Sequence, residues 1–191
     1  MKINSSEIIN NSKKSLVNLA TQLDTVEILA FHEFILHSTD FRNMTIFKEV
    51  IKLPKTTSPI IYTIEMLDIE IKNNLIKKFI DFSPINKTKN FEKVRHSKHN
   101  DNVLDSKFLY VGSSITDFSS RLKNHLGLKG HTTYALHLSK WDENMTYNIK
   151  IKMYEIKHIN DSEINRNLVE IIEQQIWDTL KPVFGKRSGL L

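Results

Sequence analysis

The sequence predicts an α/β fold in which a small, three-stranded and mostly antiparallel sheet is flanked by helices, with a helical extension at the N-terminus. Three segments are rich in β-branched and aromatic residues, and the last of them, 147–156, alternates apolar and polar residues as a strand does. Stretches with helical spacing of apolar residues separate the three. Because 40% of the 191 residues are apolar, the chain can bury a core between these layers.

Residues 1–57 are predicted to form the N-terminal helical extension. Apolar residues recur at helical spacing in 5–23, and the mostly apolar stretch 26–37 is typical of a buried helix. A further helical pattern runs to Ile51, and Leu53-Pro54 with the polar run behind it closes the region. The two histidines of HEFILH, residues 32–37, are five positions apart and leave a shared helix face, so we reject a zinc site there.

Residues 58–191 are predicted to form one domain that carries a basic insert at 66–107. The elements expected along it are a strand at 60–67, a helix at 67–82, a long mobile loop at 83–106, a strand at 107–114, a helix at 116–127, a strand at 147–156 and a final helix at 161–182. For the helix at 116–127, Thr116 or Asp117 is the expected N-cap and Gly127 is the expected C-terminal stop. The segment 132–138, TTYALHL, fits a strand by alternation and a helix by its capping threonines.

Positive charge is concentrated inside the predicted insert. Between Lys72 and Lys98 there are eight basic residues and two acidic ones, while the whole chain carries a net charge of +5. A basic segment of this kind favours nucleic acid as partner, with DNA preferred and RNA as the alternative, although a solvated lysine-rich face gives the same pattern. The candidate contacts are Lys77, Lys78, Lys87, Lys89, Lys93, Arg95 and Lys98.

Composition also limits the class of protein. The chain has no cysteine, which excludes disulfides, thiolate metal sites and a cysteine nucleophile. No window approaches the roughly 18 apolar residues of a membrane span, and the first residues lack the apolar run of a signal peptide. We therefore expect a cytoplasmic protein that does not bind membranes. The sequence is compatible with a homodimer as well as with a monomer.

Three side chains are predicted to converge near the end of the second strand. Arg121 and His125 are four positions apart and project from one helix face. Tyr110 precedes Gly112, which permits a tight exit from the strand toward that helix. In the final helix, Glu173 lies at the edge of a broad apolar arc, where a carboxylate is either a salt-bridged surface group or the acid at the rim of a cleft.

Taken in order, these elements resemble the GIY-YIG nuclease family over residues 58–187. The tripeptide YVG, Tyr110 to Gly112, corresponds to the second family signature, and IIY, Ile60 to Tyr62, stands at the first. Arg121 follows Tyr110 by eleven positions in the expected helix, His125 stands where the family often has histidine or tyrosine, and Glu173 precedes an LKPVFG ending that is similar to the family's P-x-Y/F-N. A bacterial subgroup with a long insert between the signatures is the nearest pattern, and it favours a helix at 132–138.

The chain departs from the family pattern at several positions. Ile60 replaces the first glycine, Gly185 stands in place of the usual asparagine, and serines 113 and 114 occupy a turn where some members have lysine. The insert makes the separation between Tyr62 and Tyr110 much longer than a hairpin requires.

The resemblance implies a metal-dependent endonuclease that hydrolyses phosphodiester bonds, in restriction, phage defence, mobile-element biology or repair. It implies that Glu173 holds one Mg²⁺ or Mn²⁺ ion and that Arg121 binds phosphate oxygens. Tyr62 is the implied base, with Tyr110 and His125 polarising the water or the phosphate, and the two tyrosines can exchange these roles. The alternatives are an inactive nucleic-acid-binding module and an effector that cleaves RNA.

Overall fold

A computed structural model describes residues 4–101, 103, 105–160 and 163–187 of the chain. In chain order its helices and strands are α1 (Ser5–Leu23), β1 (Val26–His37), α2 (Ser38–Arg42), α3 (Met44–Val50), β2 (Ile60–Met66), α4 (Ile69–Thr88), β3 (Phe108–Ser114), α5 (Phe118–Leu126), β4 (Asn148–His158) and α6 (Arg166–Leu180). A single 3₁₀ turn, Leu138–Lys140, lies between α5 and β4.

The fold is α/β, with helices flanking a four-stranded antiparallel sheet in the order β1-β4-β2-β3. The structure confirms the predicted strands β2, β3 and β4. They form because their β-branched and aromatic residues suit a pleated surface. The central strand β2 is buried along its whole length between β4 and β3. The predicted number of three strands is wrong, since the sheet has a fourth.

The additional strand is β1, and the prediction of a buried helix at 26–37 is wrong. β1 pairs with β4 from Val26 opposite His158 to His37 opposite Asn148. The register shifts between Ala30 and His32, so the alternation of side chains is interrupted by a bulge and the sequence shows no clean period of two. β1 lies before the predicted boundary at residue 57 but belongs to the same sheet as β2, β3 and β4.

The two faces of the sheet carry different helices. Successive residues of a strand point to opposite faces. On one face Tyr62 and Ile64 join the larger apolar core together with Leu122 of α5. On the other face Ile61 packs against Leu168 and its neighbours in α6. Consequently α5 and α6 lie on opposite faces of the sheet.

The segment predicted as a mobile loop, 83–106, is structured over much of its described length. Helix α4 continues through Pro84 to Thr88, so the predicted helix end at residue 82 is wrong by six residues. Beyond the helix, the backbone N–H of Arg95 donates to His131, and that of Ser97 donates to Ala135, each at 2.8 Å. These contacts come from segments distant in the sequence, which a local pattern cannot indicate. Residues 102 and 104 lie outside the described part of the chain.

The segment 132–138 forms neither of the two predicted elements. Ala135 makes an isolated bridge with His96, and the 3₁₀ turn begins at Leu138. Four consecutive residues, 135–138, are fully buried, so no face of the segment is left for water and its hydrophobicity has no period. The helix favoured by the family resemblance is therefore wrong here.

Within the described part of the chain, no helix has both the length and the apolar content needed to cross a membrane.

Candidate active site

The predicted site residues lie at the β3 side of the sheet, with Tyr62, Tyr110, Arg121 and His125 on one face. Glu173 lies on the other face, near enough for its charge to act on Arg121 and on both tyrosines. Tyr62 on β2 pairs with Gly112 on β3, and its ring stacks on that of Tyr110 with the centroids 6.3 Å apart. The ring of His125 lies 4.3 Å from that of Tyr110, centroid to centroid. Residues that are 63 positions apart in the sequence, Tyr62 and His125, thus form a hydrogen bond of 2.7 Å.

Helix α5 presents Arg121 and His125 because its ends are fixed. The Asp117 side chain caps the N-terminus by accepting the backbone N–H of Ser120, and Gly127 ends the helix in the left-handed conformation, with φ of 83°. Both predicted caps are therefore confirmed, with Asp117 chosen over Thr116. Leu122 and Leu126 are completely buried and hold the helix against the sheet.

Gly112 is the position where the two tyrosine rings approach the backbone. A Cβ atom at residue 112 would lie 2.7 Å from Tyr62 Oη and 2.7 Å from Tyr110 Cε1, closer than real Cβ contacts. Both rings are buried and cannot move aside freely. Gly112 is therefore required for close packing, since its backbone conformation is ordinary for a strand.

We expect Gly112→Ala to lower the free energy of unfolding by about 1–3 kcal/mol, because the added methyl group forces the tyrosine rings off their positions. The matched control is Gly130→Ala, whose Cβ meets nothing within 4 Å. Urea unfolding of both variants measures the difference. An unfolding free energy of Gly112→Ala within about 0.5 kcal/mol of the control would contradict this packing role.

The hydrogen bonds of His125 determine which ring nitrogen carries its proton. The backbone N–H of Leu136 donates to Nδ1 at 3.2 Å, so Nδ1 has no hydrogen. Burial, aided by the charge of Arg121, lowers the pKa of His125 well below its usual value and keeps the ring neutral. The single ring proton then lies on Nε2 and is donated to Tyr62 Oη. His125 is a hydrogen-bond donor to this phenol and cannot accept its proton.

Both tyrosines have raised pKa values. Burial raises the pKa of Tyr62 to about 12, although the charge of Arg121 and a hydrogen bond from its side chain act in the opposite direction. Burial likewise raises the pKa of Tyr110 well above its usual value, with a further contribution from Tyr62. At neutral pH both side chains are therefore protonated phenols. The oxygen of Tyr62 accepts hydrogen bonds from His125 Nε2 and from the Arg121 side chain.

Glu173 reaches this cluster from the opposite face of the sheet. The hydroxyl of Ser113 on β3 donates to Glu173 Oε2 at 2.5 Å. Burial raises the pKa of Glu173, while the hydrogen bond from Ser113 and the nearby charge of Arg121 lower it. Because β3 is the outer strand of the sheet, a carboxylate carried by α6 and a guanidinium carried by α5 can approach each other around its edge.

Glu173 is the carboxylate at this site that is available to bind a cation. Over the part of the chain that the structure describes, no three His, Cys, Asp or Glu side chains form a group that could hold a metal ion by themselves. Mg²⁺ is commonly bound by one or two carboxylates together with substrate phosphates and water. Glu173, oriented by Ser113, fits that donor set for one ion, and a site with two ions has too few carboxylates here.

Arg121 has unused hydrogen-bonding capacity. Its side chain contacts Tyr62, yet its Nε is buried and has no hydrogen-bond partner among the described residues. A buried guanidinium N–H without an acceptor is costly in a folded protein. A phosphate oxygen bound beside Arg121 would satisfy it.

The seven predicted nucleic-acid contacts differ in their surroundings. Lys77 and Lys78 of α4 form ion pairs with Asp81 and Glu143. Lys87, Lys89 and Lys93 lie around the end of α4, where Lys93 Nζ donates to the Lys87 carbonyl. Arg95 and Lys98 belong to the segment that bonds to residues 131–135 and 185.

Sequence reasoning missed two groups that organise the cluster. Ser113 was noted only as a departure from the family, although it binds the Glu173 carboxylate. The Leu136 N–H, which sets the protonation of His125, carries no sequence signal because any residue except proline supplies it.

No family model, curated protein or solved structure matches this chain. The functional assignment therefore depends on the geometry of the cluster and on the motifs in the sequence.

Proposed function

We propose that the protein is a metal-dependent endonuclease with a GIY-YIG fold that hydrolyses phosphodiester bonds of DNA. The observation that carries this proposal is the convergence of Tyr62, Tyr110, Arg121, His125 and Glu173 from two strands and two helices. The antiparallel pair β2 and β3, followed by α5 and later α6, also supports a GIY-YIG fold, with β1 as an added strand.

Tyr62 is the base in this proposal. His125 Nε2 and the Arg121 side chain both donate hydrogen bonds to its oxygen, and such donors stabilise the phenolate more than the phenol. The phenolate accepts a proton from water as the water oxygen bonds to phosphorus. The bond from phosphorus to the 3′ oxygen breaks, and that oxygen then takes a proton from solvent.

Arg121 and Glu173 act on the charge of the phosphate. The free Nε of Arg121 donates to a phosphate oxygen, and the fixed planar guanidinium orients the group. Glu173 would hold Mg²⁺ or Mn²⁺, and such an ion would supply positive charge beside the phosphate. Ser113 keeps the Glu173 carboxylate turned toward the edge of β3.

The test is cleavage of plasmid, linear duplex and single-stranded DNA, and of RNA, with Mg²⁺ present. We expect the wild-type protein to cut DNA and Arg121→Ala to cut about 10²–10³-fold more slowly, because it loses its phosphate donors. Lys123→Ala, on the same helix but on another face, is the control and should cut like the wild type.

Two results would overturn the proposal in different directions. Binding of DNA without any cutting would leave the chain as a nucleic-acid-binding module. Cutting of RNA alone would make it an RNA-cleaving effector, with the same residues in the site.

A further inference from the structure

Three exposed basic residues lie near one half-buried tyrosine, Tyr134, beside the candidate active site. Lys186 Nζ lies 5.6 Å from the centroid of the Tyr134 ring. The Lys98 backbone N–H donates to the Tyr134 hydroxyl at 2.9 Å. Burial raises the pKa of Tyr134, and the nearby charge of Arg95 opposes that effect. We call Arg95, Lys98, Tyr134 and Lys186 the Tyr134 cradle.

The Tyr134 cradle is connected to Tyr110 through a single glycine. The Gly185 N–H donates to the Lys98 carbonyl at 2.9 Å, and Lys186 follows Gly185 in the chain. A Cβ atom at Gly185 would lie 3.4 Å from Tyr110 Cε2. The Tyr110 ring and the backbones of two cradle residues, Lys98 and Lys186, are therefore neighbours of Gly185. Gly185 has a φ of 123°, a conformation that L side chains rarely adopt.

The cradle has a fixed backbone and free charges. Hydrogen bonds from Arg95 to His131 and from Ser97 to Ala135 tie its first segment to the one that carries Tyr134. Among residues 4–101, 103, 105–160 and 163–187, none of its three cations forms an ion pair with a carboxylate. Its cations are thus available to an external anion, in contrast to Lys77 and Lys78.

We infer that the Tyr134 cradle binds the backbone phosphate next to the one that is cleaved, so that the nucleic-acid strand leaves the active site across Gly185. This inference depends on the proposed function. Exposed lysine and arginine side chains position a nucleic acid through its phosphates and read no sequence. The cradle therefore contributes affinity and register on the strand, and it confers no preference for particular bases.

A second basic surface gives a matched comparison. A groove of about 980 Å³ is lined by lysines that include Lys52, Lys55 and Lys123. Lys123 and Arg121 are two positions apart in α5 and so do not share a face of the helix. The groove is also lined by Asp117 and Glu155, and Tyr110 is not among its lining residues. It therefore offers the same number of removable basic charges without the connection to Tyr110.

The experiment compares two triple variants with equal charge change, Arg95→Ala/Lys98→Ala/Lys186→Ala and Lys52→Ala/Lys55→Ala/Lys123→Ala. Each is placed in a Glu173→Gln background, which prevents cutting, and binding to a fluorescein-labelled duplex of about 30 base pairs is measured by anisotropy at several salt concentrations. Single-stranded DNA and RNA of the same length are measured in parallel. Circular dichroism melting confirms that both triples remain folded.

We expect the cradle triple to bind at least about tenfold more weakly than the groove triple and to reduce the slope of log affinity against log salt by about 2–3. With Glu173 intact, the cradle triple should cut slowly at low DNA concentration and recover at saturating DNA, because it loses binding and keeps the reacting groups. Equal losses in the two triples, a larger loss in the groove triple, or no binding of nucleic acid by the parent protein would overturn the inference. A selective loss of binding in the cradle triple, together with a wild-type protein that never cuts, would instead refute the nuclease and leave a phosphate-binding surface.

Discussion

Glu173→Gln should abolish cleavage, with a loss of about 10³-fold or more in the single-turnover rate at saturating DNA. The substitution preserves the size of the side chain and leaves an amide oxygen that can still accept the Ser113 hydroxyl. It removes the Glu173 carboxylate, which is the proposed ligand for Mg²⁺. The measurement is the rate of plasmid nicking across a series of Mg²⁺ and Mn²⁺ concentrations.

The control for this prediction is Glu170→Gln on the same helix. Glu170 pairs with Arg166, and its charge is the smallest of the influences on the pKa of Glu173, so its neutralisation makes the same change of charge without removing the Glu173 carboxylate. We expect this variant to cut at the wild-type rate. A Glu173→Gln protein that retains a third or more of the wild-type activity would show that the cluster does not need its carboxylate.

Loss of activity in Glu173→Gln should not come from unfolding. Burial raises the pKa of Glu173 in the folded protein, so folding disfavours its charged form. By linkage this group lowers stability above its unfolded pKa, as pH rises toward and through the folded pKa. The neutral amide avoids that cost at pH 7, and the variant should melt at or above the wild-type temperature.

The elements that the sequence predicts well are those specified by local signals. Helix α5 is predicted nearly to the residue because Asp117 caps one end and Gly127 ends the other. The strand β4 is predicted from its alternation of buried and partly exposed side chains. In both cases the information lies within a dozen consecutive residues.

The elements that the sequence predicts poorly depend on distant partners. β1 has a bulge after Ala30 and several exposed apolar side chains, so neither a strand period nor a helix period is present. The segment 135–138 is fully buried, and its structure is set by hydrogen bonds to residues 95, 97 and 125. A pattern read along the chain contains neither kind of contact.

The candidate site also combines residues that local motifs indicate with contacts that depend on distant partners. The five candidate side chains are indicated by motif order, and in the structure they lie at the β3 side of the sheet. The contacts that tune them, from Ser113 to Glu173 and from Leu136 to His125, span 60 and 11 positions and have no motif. The predicted basic residues differ in their partners. Lys77 and Lys78 pair with acidic neighbours, whereas Arg95 and Lys98 lie near Tyr134 and form no ion pair with any residue that the structure describes.

The second large effect is expected from Tyr62→Phe, which should lower the cleavage rate by about 10²–10⁴-fold. Phenylalanine preserves the buried ring and its packing against Tyr110 and Phe118 but removes the oxygen that is the proposed proton acceptor. Tyr110→Phe is the control, since it removes the neighbouring hydroxyl from the same stack. Single-turnover rates with excess protein ensure that the chemical step is measured.

The pH dependence identifies which phenol acts. With the pKa of Tyr62 raised to about 12 by burial, the phenolate fraction increases tenfold for each pH unit throughout the neutral range. The logarithm of the wild-type rate should therefore rise with a slope near 1 from about pH 6 to pH 9, without a plateau. His125 adds no acid limb, because its lowered pKa keeps it neutral there. Tyr110→Phe should keep this slope, and Tyr62→Phe should lose it. The reverse pattern would identify Tyr110 as the base. A flat pH profile for the wild-type protein would show that neither tyrosine is the base.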